Sequence, residues 1–297
     1  MIIETKGLQK SFDGFLALNG ADISVPEGSI YGLVGPNGAG KTTLIRHLAG
    51  VMRPTAGEVL VNGAPVYENS KVKAEIVHIP DDLWFFPAAS IEDMRRFYAG
   101  IYPGFSNERF ERLREAFPLE EKRPIRRFSK GMQKQAALWL ALCCRPSVVL
   151  LDEPVDGLDP VMRRTVWSLV LQDVAEYGAT VFISSHNLRE LEDVCDHVGI
   201  MHKGEVVLQR NLAELQSDIL KLQVAFESEI PEAMNGFNIL HKAQSGRVSE
   251  YIIRGKQEEV LAAVRGVNPL LADALPLSLE EIFIYELGGM DYAQIVL

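Results

Sequence analysis

The sequence predicts an α/β fold: a mainly parallel sheet covered by helices on both faces, with a helical insertion and a small C-terminal α+β domain. Three observations predict it. Apolar, strand-length segments alternate with helix-length ones through residues 1–210. A Gly-rich loop stands between one such strand and the helix that follows it. Beyond Arg210–Ser217 the pattern changes, with strand-like segments in succession before any long helix.

Residues 1–65 read as strands punctuated by turns: Ile2–Lys6, Ala21–Val25, Ser29–Val34 and Glu58–Val61. The loop after Val34 opens a helix, Lys41–Val51, which Pro54 stops. Asp93–Phe117 is rich in Arg and Glu and helical in composition, interrupted at Pro103-Gly104. A second helix spans Ser129–Cys144 and ends at Pro146, so residues 87–144 form the helical insertion. The strand Val148–Leu151, helix Val161–Tyr177, strand Thr180–Ser184 and helix Asn187–Val194 resume the alternation. Val198–Gln209 closes a first domain expected over 1–212. The second, 213–297, is expected to hold Leu220–Phe226, Gly236–Ala243, Val248–Arg254, the helix Gln257–Arg265 and an amphipathic closing helix, Ser278–Leu287.

Composition bounds the function. With 47 % hydrophobic and 24 % charged residues the chain can bury a substantial core and does not resemble a disordered one. Its longest apolar runs, Ser147–Leu151 and Ala179–Ser184, fall well short of the roughly 20 residues a membrane-spanning helix needs. The opening residues alternate like a strand rather than forming a leader peptide. A cytoplasmic protein is therefore expected, held at a membrane only by another chain. The net charge of −10 disfavours nucleic acid as a partner and adhesion to anionic lipid. A local basic cluster, Lys122, Arg123, Arg126, Arg127 and Lys130, departs from that trend and reads either as a solvated face or as part of the motif it adjoins. Cys143, Cys144 and Cys195 show no metal or redox spacing and read as small core residues in a reducing compartment.

The chemistry begins at Gly35-Pro36-Asn37-Gly38-Ala39-Gly40-Lys41-Thr42-Thr43, between the apolar strand Ile30–Val34 and a helix. This is the G-x-x-x-x-G-K-[ST] pattern of a P-loop NTPase. Its backbone N–H groups form a concavity for phosphate, backed by the positive end of the helix. Lys41 is expected on the β- and γ-phosphates, and the Thr42 hydroxyl on Mg²⁺. The strand Val148–Leu151 then ends in Asp152-Glu153-Pro154. Asp152 is expected to hold Mg²⁺, and Glu153 to polarise the attacking water as general base.

Three further segments specify the family. Phe128-Ser-Lys-Gly-Met-Gln133, at the head of a helix, resembles the L-S-G-G-Q signature of ABC ATPases. Val155-Asp-Gly-Leu-Asp-Pro160 resembles their D-loop, and Ser184-Ser-His-Asn187 their switch histidine. The elements follow in family order over residues 1–210. The resemblance implies a RecA-like core and two ATP molecules sandwiched between two such domains, in a homodimer or a heterodimer with a related ATPase. It places Ser129 and the Gly131 N–H on the γ-phosphate held by the opposite subunit, Asp159 at the dimer interface, and His186 on the γ-phosphate beside Glu153. Phe12 sits where the family stacks an aromatic on adenine, although the residue alone also suits a core.

Two departures stand out. Asp81, after the strand Glu75–Ile79 and Pro80, occupies the place of the family's Q-loop Gln, which contacts Mg²⁺; an Asx-type turn is the alternative. Lys130 and Met132 replace a signature Gly and Gln, and Lys130 either attracts the γ-phosphate in trans or faces solvent. The aromatic run Leu83-Trp84-Phe85-Phe86 follows the Q-loop, where the family meets its membrane subunit, or else packs under the helical insertion.

The S-K-G-M signature and Ser185-His-Asn-Leu-Arg-Glu-Leu-Glu-Asp-Val resemble bacterial bacitracin-type and antibiotic-peptide exporter ATPases. The expected function is thus ATP binding and hydrolysis powering export through separate membrane-embedded permease subunits, from the inner face of the cell membrane. The alternative is a nucleotide-sensing or non-membrane ABC ATPase with a regulatory C-terminal domain.

Overall fold

The structure is a computed structural model that describes residues 1–227 and 236–286. It divides into two compact units.

The first unit holds residues 1–187 and 194–209. β1 (Ile3–Phe12) and β2 (Phe15–Val25) form a long hairpin, extended by β4 (Ala56–Val61) and β5 (Ala64–Pro65) into an antiparallel sheet of order β2-β1-β4-β5. The hairpin turns at Asp13-Gly14, whose φ values of +47° and +87° are those of a two-residue mirror-image turn. The sequence reading placed only the outer ends of this hairpin, Ile2–Lys6 and Ala21–Val25, because Gly7 and Gly20 interrupt the alternation.

The second sheet has the order β10-β9-β3-β8-β7-β6. It contains β3 (Ile30–Val34), β6 (Ile76–Ile79), β7 (Val148–Asp152), β8 (Thr180–Ser185), β9 (His197–His202) and β10 (Glu205–Asn211). β9, β3, β8, β7 and β6 run parallel. β3, β7 and β8 are buried at every position, as a parallel sheet covered on both faces requires. Val34 pairs with Ser185, Ser184 with Asp152, and Leu151 with Ile79. The loops after β3, β6, β7 and β8 therefore leave the sheet along one edge.

α1 (Lys41–Leu48) buries Leu44, Ile45 and Leu48 in a core that also takes Ile3 and Leu8 of β1, Leu150 of β7 and Phe182 of β8. α2 (Ser70–Lys73) is a single turn capped by Asn69. The inserted helices are α3 (Ile91–Ile101), α4 (Asn107–Leu113) and α5 (Lys130–Cys143). Ser90 and Asp93 form a capping box on α3. Trp139 of α5 is fully buried, stacks on Phe110 at 4.4 Å, and donates its indole N–H to the Phe110 carbonyl at 3.0 Å. α6 (Pro160–Tyr177) follows β7 and closes on Gly178. All three cysteines are buried and free.

The second unit holds Leu188–Asp193 and the described residues from Arg210 onward. Its helices are α7 (Leu188–Glu192), α8 (Leu212–Asp218), α9 (Gln257–Arg265) and α10 (Leu279–Glu286). Its antiparallel sheet has the order β12-β13-β11-β14, built from β11 (Ile219–Ala225), β12 (Asn238–Ser245), β13 (Val248–Arg254) and β14 (Leu271–Leu275). Leu220, Leu222, Val224, Tyr251 and Ile253 pack beneath Val260 and Val264 of α9. β14 was not expected from sequence. Leu287, the expected end of the closing helix, lies outside the described residues.

Candidate active site

The loop Gly35–Thr43, Asp81, Asp152, Glu153 and His186 stand at or just beyond the ends of β3, β6, β7 and β8, along one edge of the sheet. β3 leads into Gly35–Gly40 and then α1. Gly35 has no room for a side chain, since a Cβ would stand 2.3 Å from the Met201 carbonyl oxygen. Gly40 adopts φ +111°, and its Cβ would fall 2.8 Å from the Ala17 oxygen. The buried Ala39 accepts a hydrogen bond from the Gly204 N–H at 2.9 Å, which pins the loop to the turn between β9 and β10. α1 starts without a side-chain cap or an acidic residue in its first turn. Its leading N–H groups and positive end suit an anion.

Lys41 is 6 % exposed. Its ammonium donates to the Gly35 carbonyl at 2.6 Å and lies 3.6 Å from Glu153 Oε1. Burial lowers its pKa, while Glu153 and Asp152 push it back up. Asp152 ends β7 at 1 % exposure. One of its oxygens accepts from the Ser184 hydroxyl; the other is buried with no hydrogen-bond partner among the described residues. A carboxylate oxygen stripped of water and left unpaired is costly, so this one suits a cation or a cation's water.

Glu153 has φ +48°, an uncommon value for a residue with a side chain. Its N–H donates to the Ser184 carbonyl at 3.1 Å. Its Oε2 lies 2.9 Å from His186 Nδ1 and accepts the His186 backbone N–H at 3.4 Å. Lys41, Glu153 and His186 thus form a continuous polar row. A cavity of about 400 Å³ opens beside it, lined by Pro36, Asn37, Gly38, Gly40, Lys41, Thr42, Thr43, Asp81, Glu153 and the aromatic pair Phe12 and Phe15. The arrangement offers a cationic phosphate cradle, a carboxylate for a proton and aromatic faces for a base.

The family model described as ABC transporter matches residues 18–156. The ABC transporter ATP-binding protein YtrB of Bacillus subtilis (strain 168) is 32 % identical over 288 residues, 97 % of this chain and 99 % of YtrB. The chain belongs to the ATP-binding subunits of ABC transporters. The bacitracin transport ATP-binding protein BcrA of Bacillus licheniformis is 31 % identical, covering 97 % of this chain and 98 % of BcrA. A solved ATP-binding subunit of an ABC transporter matches with a TM-score of 0.68 at 28 % identity, covering 73 % of this chain and 92 % of that one. The dimeric cassette MJ0796, bound to ADP and Pi, shares the fold at a TM-score of 0.65 and 22 % identity, over 71 % and 99 % of the two chains. As an ABC cassette, the chain is an ATP hydrolase.

The remaining ABC elements take distinct places. Ser129 caps α5, its hydroxyl accepting the Met132 N–H at 3.3 Å. Gly131 lies against the D-loop, where a Cβ would meet the Gly157 oxygen at 3.0 Å. Asp159 caps α6, accepting the Val161 and Met162 N–H groups at 3.0 Å each. Ser129, Gly131 and Asp159 do not line the cavity that holds Lys41 and Glu153. Asp81 does line it, but its carboxylate is also held by Lys134, 3.1 Å away. Lys130 is exposed, on a neighbouring groove with Asp81, Asp82 and Asp156. Within the basic cluster, Arg126 donates to the Phe85 carbonyl at 3.1 Å, a structural use of one of its charges.

Phe12 is 41 % exposed and so does not serve as a core residue. The aromatic run divides: Phe85 is buried, while Trp84 and Phe86 are exposed and meet edge-to-face at 4.9 Å. Sequence reasoning missed Phe15, Ser184 and Lys134. Phe15 had a signal, being the second aromatic across the Asp13-Gly14 turn from Phe12. Lys134 had none, because nothing in a helical sequence marks which lysine is buried.

Proposed function

We propose that two ABC cassettes, two copies of this chain or this chain and a related ATPase, close on two ATP molecules and drive an exporter through membrane-embedded permease subunits on separate chains. The observation that carries this reading is a division of labour. Lys41 and Glu153 line one cavity and His186 stands 2.9 Å from Glu153, while Ser129 and Gly131, on the same chain, neither line that cavity nor bond to those three residues. A second cassette must bring the signature segment to the nucleotide.

The N–H groups of Gly35–Gly40 cradle the phosphates, Lys41 reaches the β- and γ-phosphates, Thr43 lines the loop beside them, and Phe12 stacks on adenine. The partner cassette's signature segment, equivalent to Ser129 and the Gly131 N–H, closes on the γ-phosphate, with Asp159 ordering the interface. Thr42, Asp152 and, at longer reach, Asp81 are the oxygen donors that fit Mg²⁺, which would supply charge neutralisation at the phosphate oxygens. Glu153 aligns the attacking water and takes its proton, and His186 retains the γ-phosphate and that water.

An antibiotic, peptide or drug as cargo is supported by likeness along nearly the whole chain to BcrA, a bacitracin transport protein, and the export direction by the S-K-G-M signature resemblance. The exposed Trp84, Phe86 and Phe97 offer an apolar face for a permease segment. Among the described residues no helix is long and apolar enough to cross a membrane, so attachment at its inner face falls to the permeases. YtrB and BcrA are both transporter subunits, which favours a role at a membrane over the alternative.

Mg²⁺-dependent hydrolysis measured against protein concentration tests the homodimer. Turnover is expected to rise more than linearly, and Glu153→Gln is expected to trap an ATP-bound dimer by light scattering. Linear turnover with no ATP-dependent dimer would rule out self-assembly and send the search to a heterologous cassette.

A further inference from the structure

We infer that Lys134 is a positioning residue for hydrolysis, fixing the peptide of Glu153 and tying it to Asp81. Lys134 lies in the second turn of α5, beyond the Ser129 cap, and its side chain is only 9 % exposed. The ammonium donates to the Glu153 carbonyl at 2.6 Å and to Asp81 Oδ1 at 3.1 Å. A cation taken out of water needs oxygen partners, and it finds them on two other motif segments.

The bond falls on a strained point. Glu153 sits at φ +48°, a conformation that persists only where its surroundings dictate it. The Ser184 carbonyl grips the N–H of that residue at 3.1 Å, and Lys134 grips its C=O. The carboxylate that faces Lys41 and His186 is therefore aimed from both sides of its own backbone. One of those sides belongs to the signature helix.

Asp81 makes the arrangement responsive. Its side chain is 55 % exposed, and it lines both the nucleotide cavity and the adjoining groove that includes Asp82 and Leu83. Moving Asp81 shifts a charge on which Lys134 depends, and Lys134 in turn holds the Glu153 peptide. The Q-loop acid thus reaches the base through one cation, without touching it. This inference rests on the assignment of Glu153 as general base.

The test is steady-state ATP hydrolysis by the full chain, with ATP binding measured separately. Lys134→Met is expected to lower kcat by ~10–100-fold with KM nearly unchanged, the loss that small misplacements of a catalytic group produce. Lys134→Arg should recover much of it. Asp81→Asn, at a side chain too exposed for folding to depend on it, should also lower kcat. The double variant should be no worse than Lys134→Met, because both act along one path. If Lys134→Met does not fold, Asp81→Asn and Lys134→Arg decide the matter, and wild-type kcat in Asp81→Asn would overturn the inference. A loss confined to ATP affinity would also overturn it. Glu153→Gln separates the two readings. Lost turnover there beside normal kcat in Lys134→Met defeats this inference alone, whereas full turnover there defeats the base assignment and this inference with it.

Discussion

Phe12 and Phe15, 41 % and 69 % exposed, stand on the wall of the cavity beside Lys41, where their apolar faces suit a flat ring laid over them. The Lys10 ammonium lies 5.1 Å from the Phe12 ring centroid and enriches that face in positive charge. Phe12→Ala is expected to raise the KM for ATP by about 5–100-fold, the span of one lost base-stacking contact. The melting temperature should barely move, because the ring supports no core. An unchanged KM would pass the stacking role to Phe15, which Phe15→Ala would then reveal. At this scale the contiguous residues were legible: Gly35–Thr43 and Asp152-Glu153 bring their chemistry in one stretch of backbone. Ser184, Phe15 and Lys134 were not, because each acquires its role from a partner distant in sequence. Ser184, for one, serves Asp152 and Glu153 across the β7–β8 pairing.

The helices of the insertion are fastened to the core by a buried ion pair. Arg109 of α4, 1 % exposed, bonds Asp173 of α6, 4 % exposed, while its guanidinium carbon lies 5.1 Å from the Tyr177 ring centroid. Burial pushes the Asp173 carboxyl up to about 6 despite the guanidinium against it, so desolvation is the larger force here. Removing one partner leaves the other charge uncompensated. Asp173→Ala is expected to cost roughly 3–5 kcal/mol in denaturant unfolding. Replacing both, as Arg109→Met with Asp173→Leu, should restore most of it. If the double variant proves as unstable as the single one, the pair is a net stabiliser and the desolvation argument fails. Sequence located α6 closely, as Val161–Tyr177, and α4 only as the part of Asp93–Phe117 beyond Pro103-Gly104. It could not pair Arg109 with Asp173, because a charged residue reads as surface until its partner is known. β14 was missed for a related reason: Asp273 and the preceding Pro269 mask a short strand that, among the described residues, pairs with β11 alone.

On the scale of the whole chain, the crossing between the two units falls after Asn187, one residue beyond His186. His186 and Asn187 belong to the first unit, and α7, which begins at Leu188, packs with the second. Within that second unit Leu188 and Leu191 are buried, and the Leu279 N–H donates to the Glu192 carboxylate at 3.2 Å. α7 and α10 are thus joined within the second unit, and a helix as short as α7 has little stability of its own. His186, whose Nδ1 lies 2.9 Å from Glu153, is joined to the first residue of α7 through Asn187 alone. A chain ending after Gln209 is therefore expected to bind ATP normally but hydrolyse it roughly tenfold more slowly, through misplacement of His186. Leu279→Asp in the full chain should reproduce the loss without removing the domain. In the shortened chain His186→Ala should do little further harm, since the histidine is already displaced. Wild-type kcat in both altered chains would show that β8 alone positions His186, and would leave the C-terminal unit without a part in hydrolysis.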